Sequence, residues 1–100
     1  MSHISLSSPL LKSFVHADFN LTTSFSVILT ENSTSSRRII VFIQNKSATA
    51  TVYVIFATTG GTGIAVPPLS NISLDNYNGI VRASTSDAAG SVVHLAYSAV

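Results

Sequence analysis

Two segments, "RRIIVFIQN" (37–45) and "TVYVIFA" (51–57), constrain this chain more than anything else in it. Both are rich in β-branched and aromatic residues, both have strand length, and the polar link "KSATA" separates them. Each is apolar on both of its faces. In the first, Ile39, Val41 and Ile43 alternate with Ile40 and Phe42; in the second, Val52, Val54 and Phe56 alternate with Tyr53 and Ile55. One face of each strand belongs in a core, and the other requires cover from a second layer or another subunit, because a two-faced apolar strand left in water is an aggregation site. The short link predicts that the two strands pair as an antiparallel hairpin.

The rest of the chain carries the same period of two, and nowhere do apolar residues hold helical spacing for three turns. Phe14 to Phe19 reads as a first strand. "SFSVILT" follows, with Phe25, Val27 and Leu29 expected on one apolar face, and "ENSTSS" breaks the run as a loop. After the glycine loop "TTGGTG" comes a short strand at Ile64 to Val66. Pro67-Pro68 stops it and, lacking amide hydrogens, bars that segment from a central ladder position. "NISL", the turn "DNYNG" and the strand "GIVRAS" come next. A last hairpin is expected through "TSDAAG" into "SVVHLAYSA". Eight or so short strands at this spacing predict an all-β, antiparallel, jelly-roll-like β-sandwich. Residues 1–12, Ser-rich and broken by Pro9, read as an extended N-terminal arm, with 13–100 as the single sandwich domain.

A domain this small hides only about two-thirds of the surface its unfolded chain exposes, so help from disulfides, metal or partners is expected. There is no cysteine. Charged residues make up 9% of the chain and apolar ones 46%, whereas ordinary soluble domains carry about 25% charge. Ser and Thr supply 27 of the 100 residues, and such short neutral groups pack at an interface with a smaller desolvation cost than Lys or Glu. Much of the exterior therefore reads as contact surface. A net charge of +1, with Arg37-Arg38 as the basic cluster, does not suit phosphate binding, so nucleic acid is not an expected partner. No apolar run has spanning length, and "MSHISLSSPLLKSF" lacks the basic start and continuous apolar block of a secretory signal, so neither a membrane nor secretion is expected. Asn-x-Ser/Thr sequons at Asn20, Asn32, Asn45 and Asn71 are read as chance matches in a chain so rich in Ser and Thr.

Chemistry has one candidate. His16-Ala17-Asp18 followed by distant His94 has the ligand order of a two-histidine, one-carboxylate iron centre, and Arg82-Ala83-Ser84 resembles the R-x-S such oxygenases use, although here it precedes the last histidine. A chain of this size leaves little room for a pocket around such a centre, so His16 and His94 are read first as strand residues with satisfied hydrogen bonds. A small jelly-roll metalloenzyme stays as an alternative. "GGTG" lacks the Lys and Ser/Thr of a phosphate loop, and no G-x-S-x-G elbow occurs. Asp75 and Asp87 sit in turn contexts, where Asp bonds its own backbone. A carbohydrate-binding surface would have to come from Tyr53, Tyr77 or Tyr97, which are not clustered. No catalytic, cofactor or metal residue is assigned, and the chain is not read as an enzyme.

From Arg37 to Val100 the order of elements resembles small virion proteins of tailed bacteriophages. In those, a strand ending Q-N-x-S (here Gln44-Asn45-Lys46-Ser47) turns into a V-x-V-x-F strand (Val52, Val54, Phe56). A Pro-bearing turn, a short strand ending near Asp, a G-x-V-x-A strand (Gly79, Val81, Ala83) and a last apolar strand then follow. Pro67-Pro68 departs from that pattern's single Pro and Gly. The resemblance implies a head decoration or cement protein on the capsid exterior, made in the host cytoplasm, bridging copies of a major capsid protein as a homo-oligomer, a trimer in the leading reading. A tail, baseplate or fibre component is the alternative within the same class.

Overall fold

The structure, a computed structural model, describes residues 13–31 and 40–99. The expected arm at 1–12, Arg37-Arg38, His3 and the Asn32 sequon lie outside the described residues. Eight strands follow in chain order: β1 (Ser13–Leu21), β2 (Ser26–Leu29), β3 (Ile40–Asn45), β4 (Val52–Ile55), β5 (Ile64–Val66), β6 (Asn71–Asp75), β7 (Val81–Thr85) and β8 (Ser91–Ala99). They form two four-stranded antiparallel sheets with spatial orders β1-β8-β3-β6 and β2-β7-β4-β5. This is the jelly roll expected from strand number and spacing, with every consecutive pair except β4-β5 divided between the two sheets or separated within one.

Neither expected hairpin exists. β3 and β4 lie in different sheets, and so do β7 and β8; each link is an arch across the sandwich. For the first arch the cause is Asn45. Alternation places Val41, Ile43 and Asn45 on the inner face, so an amide, fully buried, ends an otherwise apolar row. Its Nδ2 group donates to the carbonyls of Ala50 (2.9 Å), Val66 (3.0 Å) and Pro67 (3.1 Å), while its Oδ1 accepts from the Ser47 amide (2.9 Å). A buried side chain so fully bonded fixes the chain's turn out of the first sheet and into the second. It also removes the Asn45 sequon as an acceptor site. At the other arch, the buried hydroxyls of Thr85 and Ser91 bond each other at 2.7 Å, and the Asp87 carboxylate accepts from the Ala89 amide, as expected of Asp in a turn. Asp75, by contrast, ends β6 rather than capping a turn.

The core lies between the sheets and is built from Leu21, Ile28, Leu29, Val41, Ile43, Val52, Val54, Val66, Val81, Ala83, Val93 and Leu95. Burying side chains of this kind contributes about 1.5–3 kcal/mol each before conformational entropy is subtracted. The expected face of β2 needs correction. Val27 points outward opposite Arg82 and is 48% exposed, while the adjacent Ile28 and Leu29 are both buried. A register shift between Val27 and Leu29 is responsible, because an extra residue in an edge strand re-aims the side chains that follow it.

The outer apolar side chains of β3 and β4 fare differently from one another. Ile55 faces out from β4 yet is only 7% exposed, because the glycine loop folds over it: a Cβ at Gly63 would lie 3.0 Å from its side chain. Phe42 on β3 stays half-buried on the outward face of the first sheet.

Candidate functional site

The outer face of the first sheet is where polar and apolar groups of possible consequence collect, and its layout follows from strand register. Three rows cross it. Phe14, Ser98, Ile40 and Asp75 form one; His16, Ala96, Phe42 and Ser73 the next; Asp18, His94, Gln44 and Asn71 the third. The large apolar side chains Phe14, Ile40 and Phe42 fall in the first two rows, and the third row is polar throughout.

His16, Asp18 and His94, singled out by sequence, do come together here. Asp18 is directly opposite His94 across the β1/β8 ladder, and His16 is its diagonal neighbour. The His94 Nδ1–H donates to Asp18 Oδ1 at 2.6 Å, and His94 Nε2 lies 2.9 Å from His16 Nδ1, with the ring centroids 5.1 Å apart and the rings nearly stacked. Lys46, which sequence reasoning did not connect with them, reaches the other Asp18 oxygen at 3.6 Å. The hydrogen bond from His94 is the chief reason that the Asp18 carboxyl sits below its ordinary value; partial desolvation opposes the shift and the Lys46 charge adds to it.

These groups form a linear chain, Lys46 to Asp18 to His94 to His16, and not a set converging on one point. His94 spends both ring nitrogens on its neighbours. Among the described residues no cluster of three or more His, Cys, Asp or Glu side chains could hold a metal ion. The oxygenase arrangement of His16, Asp18 and His94 is therefore corrected. Antiparallel pairing lays the three along the outward face of a sheet, where a facial iron site needs them aimed inward at one cavity. Arg82, the other half of that reading, lies on the opposite sheet, where it donates to the Thr58 carbonyl at 2.9 Å and covers the Phe25 ring.

The tyrosines do not assemble a platform. Tyr53 is on the outer face of the second sheet, Tyr77 packs edge-on against Phe56, and Tyr97 packs against the core. Exposed apolar side chains are more telling: Phe14 (39%), Val15 (40%), Val27, Ile64 (50%) and Leu69 (65%). Leu69 is held with φ at 59°, inside the type II turn closed by the Ser70 amide on the Pro67 carbonyl. Among the described residues no helix is long and apolar enough to cross a membrane.

Neither a protein-family model nor a curated protein matches the chain. A solved structure does: that of Bacillus endospore appendages, described as a novel family of disulfide-linked pili. The likeness covers 100% of this chain and 98% of that one, with a TM-score of 0.61 and 17% sequence identity. Likeness at that identity establishes a shared all-β fold. The expected capsid decoration or cement role is corrected, since the similar structure is a bacterial pilus and not a phage protein.

Proposed function

We propose that this chain is a structural subunit that joins copies of itself into a pilus-like fibre. The observation that carries the reading is the outer edge of β1, beside which no described strand lies. Of the four strands that end the sheets, β5 has three residues and runs into Pro67-Pro68, β2 has four and a bulge, and β6 has five. Short length, proline and bulges are the devices by which sheets avoid pairing edge to edge. β1 uses none of them: it is nine residues long, regularly paired with β8 throughout, and free of Lys, Arg and Pro. Among the described residues no strand lies on its other side. Phe14 and Val15 expose apolar surface on both faces of that edge. Backbone pairing along it, with these side chains buried, would supply both the affinity and the register of a subunit joint.

Low charge supports the same reading, since little electrostatic repulsion keeps two copies apart. The likeness to a pilus adds support at the level of fold. The chemistry of the joint differs, however: this sequence has no cysteine and offers no thiol for a disulfide, and the joint proposed here is non-covalent strand pairing.

Negative-stain microscopy and light scattering of the purified chain at rising concentration test the proposal. Fibres are expected, unaffected by reductant and lost on joint substitution of Phe14→Lys and Val15→Lys while the thermal unfolding of the monomer persists. A wild-type chain that remains monomeric at high concentration overturns the reading.

A further inference from the structure

We propose that His16 and His94 form a two-histidine chelate for a divalent first-row transition ion, with Asp18 as the group that orients His94 and not as a ligand. The inference stands on the side-chain chain described above and is independent of whether the protein forms fibres.

Its first support is a distance. Two nitrogens bound to one ion at 2.0–2.1 Å and at the right angle of a tetragonal site lie about 2.8–3.0 Å apart. His16 Nδ1 and His94 Nε2 are already 2.9 Å apart, sharing one proton that an ion would replace. His16 is exposed; with His94 Nε2 as acceptor the shared proton is on His16 Nδ1, and binding requires it to pass through solvent to His16 Nε2, which frees the Nδ1 lone pair for the ion.

The second support is the tautomer. Because His94 Nδ1 donates to Asp18, its neutral ring must carry the proton on Nδ1 and leave a lone pair on Nε2, the atom turned toward His16. A carboxylate on the far side of a ligating imidazole is the usual means of fixing its orientation and raising its basicity. Lys46 holds the other carboxylate oxygen, which fixes Asp18 in turn. Imidazole nitrogens suit Cu²⁺, Ni²⁺ and Zn²⁺, with water completing the coordination on the exposed face, and Cu²⁺ should bind more tightly than Zn²⁺. Two protein ligands and open solvent positions suit a structural or bridging ion.

The test is calorimetric titration of the untagged full chain with Zn²⁺ and with Cu²⁺ salts, alongside NMR of the histidine rings. One equivalent should bind, with shifts at His16 Nδ1 and His94 Nε2. His16→Gln and His94→Gln should each weaken binding by at least about tenfold, and Asp18→Asn by about tenfold while leaving the same two nitrogens as ligands. His3→Ala, which removes the remaining histidine, should change nothing. Absence of stoichiometric binding, binding that survives both glutamine substitutions, or binding abolished by His3→Ala each overturns the proposal. Unchanged NMR spectra elsewhere in the sheet establish that the variants remain folded, so loss of binding reports on the ligands themselves.

Discussion

Asn45, at the end of β3, donates from its side-chain amide to the carbonyl of Val66, at the end of β5, at 3.0 Å, and so ties one sheet of the sandwich to the other. The two residues are 21 positions apart, and the same amide also holds the carbonyls of Ala50 and Pro67, so one buried side chain secures three points of the chain. Replacing it by Ala should lower unfolding stability by about 2–4 kcal/mol, the range for breaking a buried hydrogen-bond network. Asn45→Asp should be worse, because it sets an acceptor against three acceptors. Urea denaturation of the three proteins checks the order.

Leu69 lies at the third position of a type II turn, with φ at 59°, where a Cβ is unfavourable and Gly is the favoured residue. Its side chain is mostly exposed, so little packing is lost by removing it. Leu69→Gly should raise monomer stability by about 0.5–1 kcal/mol, the difference between left-handed strain and the chain entropy that glycine restores to the unfolded state. If the same leucine is buried between copies, that variant should assemble less well although it folds better, which scattering and melting measured together would detect.

Gly63 and Gly61 offer a contrast within one loop. At Gly63 φ is 77°, and a Cβ would approach the Val54 carbonyl oxygen to 2.9 Å, a backbone atom that cannot swing aside. At Gly61 a Cβ would meet nothing within 4 Å. Gly63→Ala should cost about 1–3 kcal/mol from strain and collision. Gly61→Ala should stay within about 0.5 kcal/mol of the parent. Thermal unfolding of the pair provides the comparison.

Asp18 should impose a pH dependence whose sign follows from its partners. The hydrogen bond from His94, aided by the Lys46 charge, lowers the native carboxyl below its unfolded value. The unfolded state therefore binds more protons in this window, and stability rises with pH there. The contribution is present in full above the ordinary Asp value of about 3.9 and is lost as pH falls through the lower native value. Asp18→Asn should shrink the stability difference between neutral buffer and strong acid. Because the group is exposed and screened, the change should be small. Carbon NMR of the Asp18 carboxyl, followed against pH, would read the lowered titration directly.

The sequence by itself determined where the strands are and which residues alternate within them. Period-two patterning is a local property, and the eight segments read from it correspond to β1 through β8, down to the edge position of the proline-stopped β5. It also contained an overlooked sign at Asn45, which falls on the apolar phase of Val41 and Ile43 and so had to be buried. His16, Asp18 and His94 were likewise visible as chemistry-bearing residues. Tertiary structure decided the rest: which strands pair, and which atoms point at one another. A link such as "KSATA" can close a hairpin or arch between sheets, and the choice falls to long-range bonds such as that of Asn45 to Val66. Likewise a one-residue difference in the β1/β8 register would have put His94 and Asp18 on opposite faces, and no local pattern fixes that register; the shared burial of Leu21, Val93 and Leu95 does.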